Sequence, residues 1–124
     1  MLITSLLREQ TFPTTDGAQV RDYLHVEDAA AAFLALALSR ASGTVNISSG
    51  VPVSIRAVVE TVEEVTGRSG LVRLGEVPYR AWEPMFVCGD NRRLRDLTAW
   101  APRYSSLRSG LVQTVDWWRS VLGT

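Results

Sequence analysis

The sequence predicts an α/β chain, and three observations carry that expectation. Stretches with helical periodicity alternate with short runs of strand formers, the element order of α/β folds. The strands are too few to complete a doubly wound sheet, so the expected architecture is a piece of one. The balance of 46% hydrophobic and 21% charged residues over 124 positions is that of one soluble globular domain.

Taken in order, Met1 to Gln10 reads as the end of a helix, with Leu2, Ile3, Leu6 and Leu7 on one face. No capping residue precedes it, and the abrupt start leads us to expect further sequence upstream. Thr11 to Gln19 holds Pro13, Asp16 and Gly17 and reads as a loop. Arg21 to Val26 is rich in strand formers. Glu27 and Asp28 then put negative charge where a helix N-terminus favours it, and Ala29 to Arg40 continues as a helix apolar nearly all round, expected to be buried. Gly43 ends that helix, and Thr44 to Ser48 reads as a short buried strand.

Ser54 is placed to cap an amphipathic helix bearing Ile55, Val58, Val59, Val62 and Val65 on one side, with Gly67 as its terminator. Leu71 to Leu74 and Met85 to Cys88 read as strands around a loop from Gly75 to Pro84. Asn91 to Leu97 reads as a short helix with Asp90 near its cap. Ser105 or Ser106 caps the last helix, where Leu107, Leu111, Val115, Trp118 and Leu122 recur at helical spacing.

Composition narrows the chemistry. All 13 basic residues are arginine, and 13 acidic residues balance them, so no broad attraction to nucleic acid or a membrane surface is implied. Without lysine, no mechanism that needs one can operate within these residues. A lone cysteine, Cys88, and a lone histidine, His25, exclude an internal disulfide and make a zinc site implausible. The apolar run Ala29 to Leu38 is too short to span a bilayer, and the N-terminus lacks a signal peptide, so a cytoplasmic protein is expected.

Four segments carry a resemblance. The first is Gly17-Ala-Gln19-Val-Arg21-Asp22-Tyr23-Leu-His25-Val-Glu27-Asp28-Ala29-Ala30. Next come Gly43-Thr-Val-Asn46-Ile-Ser-Ser-Gly50 and Pro78-Tyr79-Arg80-Ala-Trp-Glu83. The last runs from Asp90 through Trp100-Ala-Pro102 to Ser106-Leu107 and Gly110-Leu111. Together, and in this order, they resemble the extended short-chain dehydrogenase/reductases, the NAD-dependent epimerase/dehydratase family that modifies nucleotide-sugars. The resemblance covers essentially the whole chain. It implies a C-terminal fragment of such an enzyme: residues 1–50 as the last elements of the Rossmann-type domain, and residues 51–124 as the small α/β substrate-binding domain.

The resemblance implies roles for particular residues. Arg21 and Arg80 match arginines that reach the substrate diphosphate, for which a planar guanidinium fork is well suited. On the residues alone, Arg21 could equally pair with Asp22 or another carboxylate, and Arg80 could be a solvated loop charge. Asn46 matches an asparagine near the nucleotide-sugar, with a backbone-satisfied structural amide as the alternative. Gln19 is a weaker candidate beside the nucleotide. His25 reads as an ordinary strand residue, Glu83 and Asp90 as structural, and Trp117 and Trp118 as core and rim of the last helix. Arg92, Arg93 and Arg95, interleaved with Asp90 and Asp96, read as a solvated face.

The family uses NAD or NADP, held by a glycine-rich turn between strand and helix, and a catalytic Tyr-x-x-x-Lys. None of the nine glycines here forms such a turn, and the lysine is absent. The expectation is therefore the nucleotide-sugar-binding part of an epimerase, dehydratase or reductase, with no catalytic, cofactor-binding or metal residue of its own. Its partner would be a nucleoside-diphosphate sugar, and it would form a homo-oligomer or join a missing N-terminal part. The alternative is a non-catalytic module that binds a sugar nucleotide or a partner protein.

Overall fold

A computed structural model describes residues 1–124 as five helices and four short strands. The order is α1 (Leu2–Leu7), β1 (Phe12–Pro13), β2 (Val20–Asp22), α2 (Val26–Leu38), β3 (Pro52–Ser54), α3 (Ile55–Thr66), β4 (Val72–Arg73), α4 (Arg92–Leu97) and α5 (Leu107–Leu122). The fold is α/β. β1 pairs in parallel with β4, Phe12 opposite Val72, and β2 pairs antiparallel with β3, Arg21 opposite Val53.

Two apolar clusters hold these pieces. In the first, Ile3 and Leu6 of α1 meet Val62 of α3 and Val115 of α5. Each fully buried aliphatic side chain of this kind contributes about 1.5–3 kcal/mol. This cluster joins residues on either side of position 50. The second is smaller: Ala32 of α2, Leu94 of α4 and Trp100, whose indole N–H donates to the Asp28 carbonyl at 3.0 Å.

Local chemistry sets the helix ends. Ser54 Oγ accepts from the Ala57 amide at 3.1 Å, and Gly67 closes α3 in the left-handed region at φ 69°. Ser106 and Ser109 cap α5 reciprocally. α2 opens on His25, whose Nδ1 accepts from the Glu27 amide at 3.3 Å. Asp28, 2% exposed, accepts from the Arg103 and Tyr104 amides at 2.7 and 3.0 Å and so ties the first turn of α2 to the segment before α5.

Several elements differ from the sequence expectations. Thr44 to Ser48 makes no backbone ladder, because no strand lies beside it to receive its amides and carbonyls. The stretch expected to be strand through Val26 ends at Asp22, since the chain must turn into α2, and His25 is its cap rather than a strand residue. The expected loop contains β1, whose Pro13 is tolerated because the neighbouring amides of Phe12 and Thr14 make the bonds to Leu71 and Arg73. The expected strand Met85 to Cys88 contracts to one bridge, Phe86 to Val20. α2 is not buried all round: Phe33 is 66% and Leu38 80% exposed, and they share with Val26 and Leu34 an uncovered apolar face.

Candidate functional site

β2 presents Arg21 at the edge of a small charged cluster. Its Nη1 donates to its neighbour's carbonyl, Val20 O, at 2.8 Å, and its Nη2 donates to Glu83 Oε1 at 2.7 Å. Both side chains are about three-quarters buried, at 24% and 22% exposure. Glu83 reaches Arg21 from 62 positions away because the loop after β4 is stitched along the segment before β2. The Val77 amide donates to Thr14 O at 3.1 Å, the Ala18 amide to the Tyr79 hydroxyl at 3.0 Å, and the Val20 amide to Met85 O at 2.8 Å.

Within that loop a tight turn runs from Arg80 to Glu83, closed by the Glu83 amide donating to Arg80 O at 3.0 Å. Arg80 therefore stands at one end of the turn and the carboxylate that grips Arg21 at the other. Arg21 is thus tied through Glu83 to the turn that begins at Arg80, whose own guanidinium lies over the Trp82 ring. A guanidinium fork of this kind suits a multiply charged anion, which it can grip bidentately.

Asp22, the next residue on β2, points into a different network. Its carboxylate accepts from the Ser49 amide (2.8 Å) and hydroxyl (2.7 Å), the Gly50 amide (2.9 Å) and the Gly89 amide (3.1 Å). Burial works to raise its pKa, but the bonds from Ser49, Gly50 and Gly89 outweigh burial and hold it below the usual carboxylate value. Asp22 thereby fixes the 48–50 and 88–90 segments against the strand that carries Arg21. The Cys88 thiol, beside the same carboxylate, is pushed up by burial and by that negative charge.

The other sequence candidates fall around this core. Asn46 is exposed and donates to Asp90 O at 3.3 Å, so it reaches the Arg21 strand only through the segment whose Gly89 amide binds Asp22. Gln19 is buried and accepts from Thr15 Oγ1 at 3.1 Å. His25 pairs with Gln113 at 2.8 Å and packs on the Tyr104 ring at 4.0 Å between centroids, a bridge from α2 to α5. Asp90 is held down to about 2 by the Arg92 guanidinium and amide. Trp117 and Trp118 contact each other edge to face on α5. The sequence did not disclose Glu83 as the partner of Arg21. Its signal lay in the same short loop as Arg80.

An apolar cavity of about 340 Å³ opens beside Tyr23, between β3 and α5. Its polar groups are largely committed: His25 to Gln113, Thr114 to Gly110 O, Ser49 to Asp22. Burial raises the Tyr23 phenol, with the nearby Arg21 charge opposing. The charged cluster, not this cavity, holds the open donors. The long helices begin on side-chain caps (His25, Ser54, Ser106), α2 adds Glu27 and Asp28 in its first turn, and no glycine-rich turn precedes any of them. No group of three His, Cys, Asp or Glu side chains converges as a metal site.

The chain is similar to known proteins in sequence and fold. A family model described as the NAD dependent epimerase/dehydratase family matches residues 1–48. The chain is 33% identical to a UDP-glucose 4-epimerase of Corynebacterium glutamicum, across 94% of this chain and 37% of that protein. It is 41% identical to GDP-L-fucose synthase 1 of Arabidopsis thaliana, across 82% of this chain and 31% of that protein. A UDP-glucose 4-epimerase of Thermotoga maritima, solved with UDP-glucose, superposes with a TM-score of 0.88 at 25% identity, over 98% of this chain and 38% of that one. The fold is thus that of part of an extended short-chain dehydrogenase/reductase. The chain belongs to the NAD-dependent epimerase/dehydratase family, and it spans about a third of the length of the relatives it matches.

Proposed function

We propose that these residues form the nucleotide-sugar-binding part of an NAD(P)-dependent epimerase, dehydratase or reductase. Arg21 and Arg80 clamp the diphosphate, and Asn46 lies near the sugar nucleotide. Residues 1–50 would close the Rossmann-type domain and residues 51–124 form the substrate-binding domain. The observation that carries the reading is the ion pair by which Arg21 is held to Glu83, in the same short turn that begins at Arg80, although Arg21 lies in a distant part of the chain. A neutral substrate needs no such pair of forks.

NAD or NADP would supply the redox chemistry of a complete enzyme, from residues not present here. The part assigned to this chain is to hold the substrate's phosphates. Glu83 keeps the Arg21 guanidinium oriented before ligand arrives, and the caged Asp22 fixes the strand behind it. Pre-set donors lose less freedom on binding than solvated ones.

Calorimetric titration with UDP-glucose tests the assignment. Arg21→Ala and Arg80→Ala should each weaken binding about ten- to a hundredfold, since each removes charge-assisted bonds of about 1.5–3 kcal/mol. Arg→Lys should recover only part of the loss, because lysine lacks the bidentate fork. His25→Ala should leave affinity nearly unchanged. Undiminished affinity in both alanine variants refutes the clamp.

A further inference from the structure

We propose that Trp82 is a stacking platform for the nucleobase of a nucleoside diphosphate held by Arg21 and Arg80. This rests on the clamp reading above and adds the base to it. Trp82 is the third residue of the Arg80–Glu83 turn and is 74% exposed. The Arg80 guanidinium carbon lies 5.4 Å from its ring centroid, over one face, and that degree of exposure leaves the opposite face open. The indole therefore sits beside one phosphate-gripping arginine and next in sequence to the carboxylate that grips the other.

Two of the remaining tryptophans, Trp100 and Trp118, pack into the fold, and Trp117, 52% exposed, lies on α5 away from this turn. Trp100 is buried with its N–H bonded to Asp28 O, and Trp117 and Trp118 contact each other on α5. Trp82 alone offers a large aromatic face next to unspent cationic donors. A phosphate chain gripped by both arginines brings whatever it carries within reach of that face. Every nucleobase has a π surface, so the indole would favour a nucleotide over bare diphosphate without choosing among bases.

Titrating the 124-residue chain with UDP and with inorganic pyrophosphate, at one salt concentration, separates base from phosphate. We expect UDP to bind more tightly than pyrophosphate by about five- to a hundredfold, the range of one base–aromatic stack. Trp82→Ala should abolish that advantage while leaving pyrophosphate affinity in place, and Trp82→Phe should retain most of it. Indole fluorescence should be quenched by UDP in the parent and much less so in Trp82→Phe. An equal affinity of the parent for the two ligands, or an advantage that survives Trp82→Ala, overturns the stacking assignment and leaves the clamp standing. If the parent binds neither ligand, the clamp fails and the stacking with it.

Discussion

Asp22 carries more of the site's geometry than either arginine, because four donors from two other segments converge on its carboxylate. Its folded-state pKa lies below 3.8, the value expected for the unfolded chain. The resulting stabilisation is complete above the unfolded value and is lost as pH falls through the lowered folded value. Acid unfolding monitored by circular dichroism should show Asp22→Asn losing part of the parent's pH dependence below about pH 4, with lower stability at neutral pH. A parallel pH profile in the two chains contradicts the role assigned to Asp22. A second prediction concerns Ser48, whose buried Oγ has no hydrogen-bond partner. A Cβ on Gly89 would lie only 2.5 Å from that serine's side chain, so the two segments are already in close contact. An unsatisfied buried hydroxyl costs about 1–3 kcal/mol. Ser48→Ala should therefore raise the melting temperature by a few degrees, whereas Gly89→Ala should lower it sharply. What could be read at this scale was uneven. Arg21 and Arg80 stood in recognisable motifs. The ion pair of Arg21 with Glu83 did not show, because no local periodicity encodes a contact between residues 62 positions apart.

At the scale of elements, caps and helical periodicity translated directly into structure, since both are local. Ser54, Gly67 and Ser106 end or begin helices as their chemistry requires. Replacing Ser54 by alanine should cost about 1 kcal/mol of stability, read as a shift in the urea midpoint, because it orphans the Ala57 amide. An unchanged midpoint would show that β3, not the cap, fixes the start of α3. Strands were harder to foresee. Thr44 to Ser48 has the composition of one yet finds no neighbour, while Phe12–Pro13 contains proline yet pairs with Val72–Arg73. A strand exists only where a second strand supplies its partners, and which strands meet is a tertiary fact.

The whole molecule leaves one face unfinished. Val26, Phe33, Leu34 and Leu38 of α2 are exposed together, in a helix whose sequence is apolar enough to have been expected inside. Contiguous apolar surface of that kind favours association. We expect the chain to self-associate between micromolar and millimolar concentration in sedimentation, and Phe33→Glu with Leu38→Glu to suppress this without unfolding the chain. A parent that stays monomeric throughout counts against it. The chain by itself should also show no epimerase, dehydratase or reductase turnover and no meaningful NAD(P) affinity, for want of a lysine and of a glycine-rich turn. Micromolar NAD(H) binding by calorimetry would overturn that expectation.

The diphosphate clamp is tested most directly by titrating UDP-glucose, UDP and uridine into the parent chain and into a chain carrying both Arg21→Ala and Arg80→Ala. On the proposed reading the two guanidiniums would share one ligand, so their single losses need not add, and only the double replacement would remove the clamp. The account predicts that the parent binds UDP-glucose and UDP far more tightly than uridine, that this preference shrinks as salt rises, and that the double variant loses it. A double variant that binds UDP-glucose as tightly as the parent, or a parent that binds uridine as well as UDP, would contradict it.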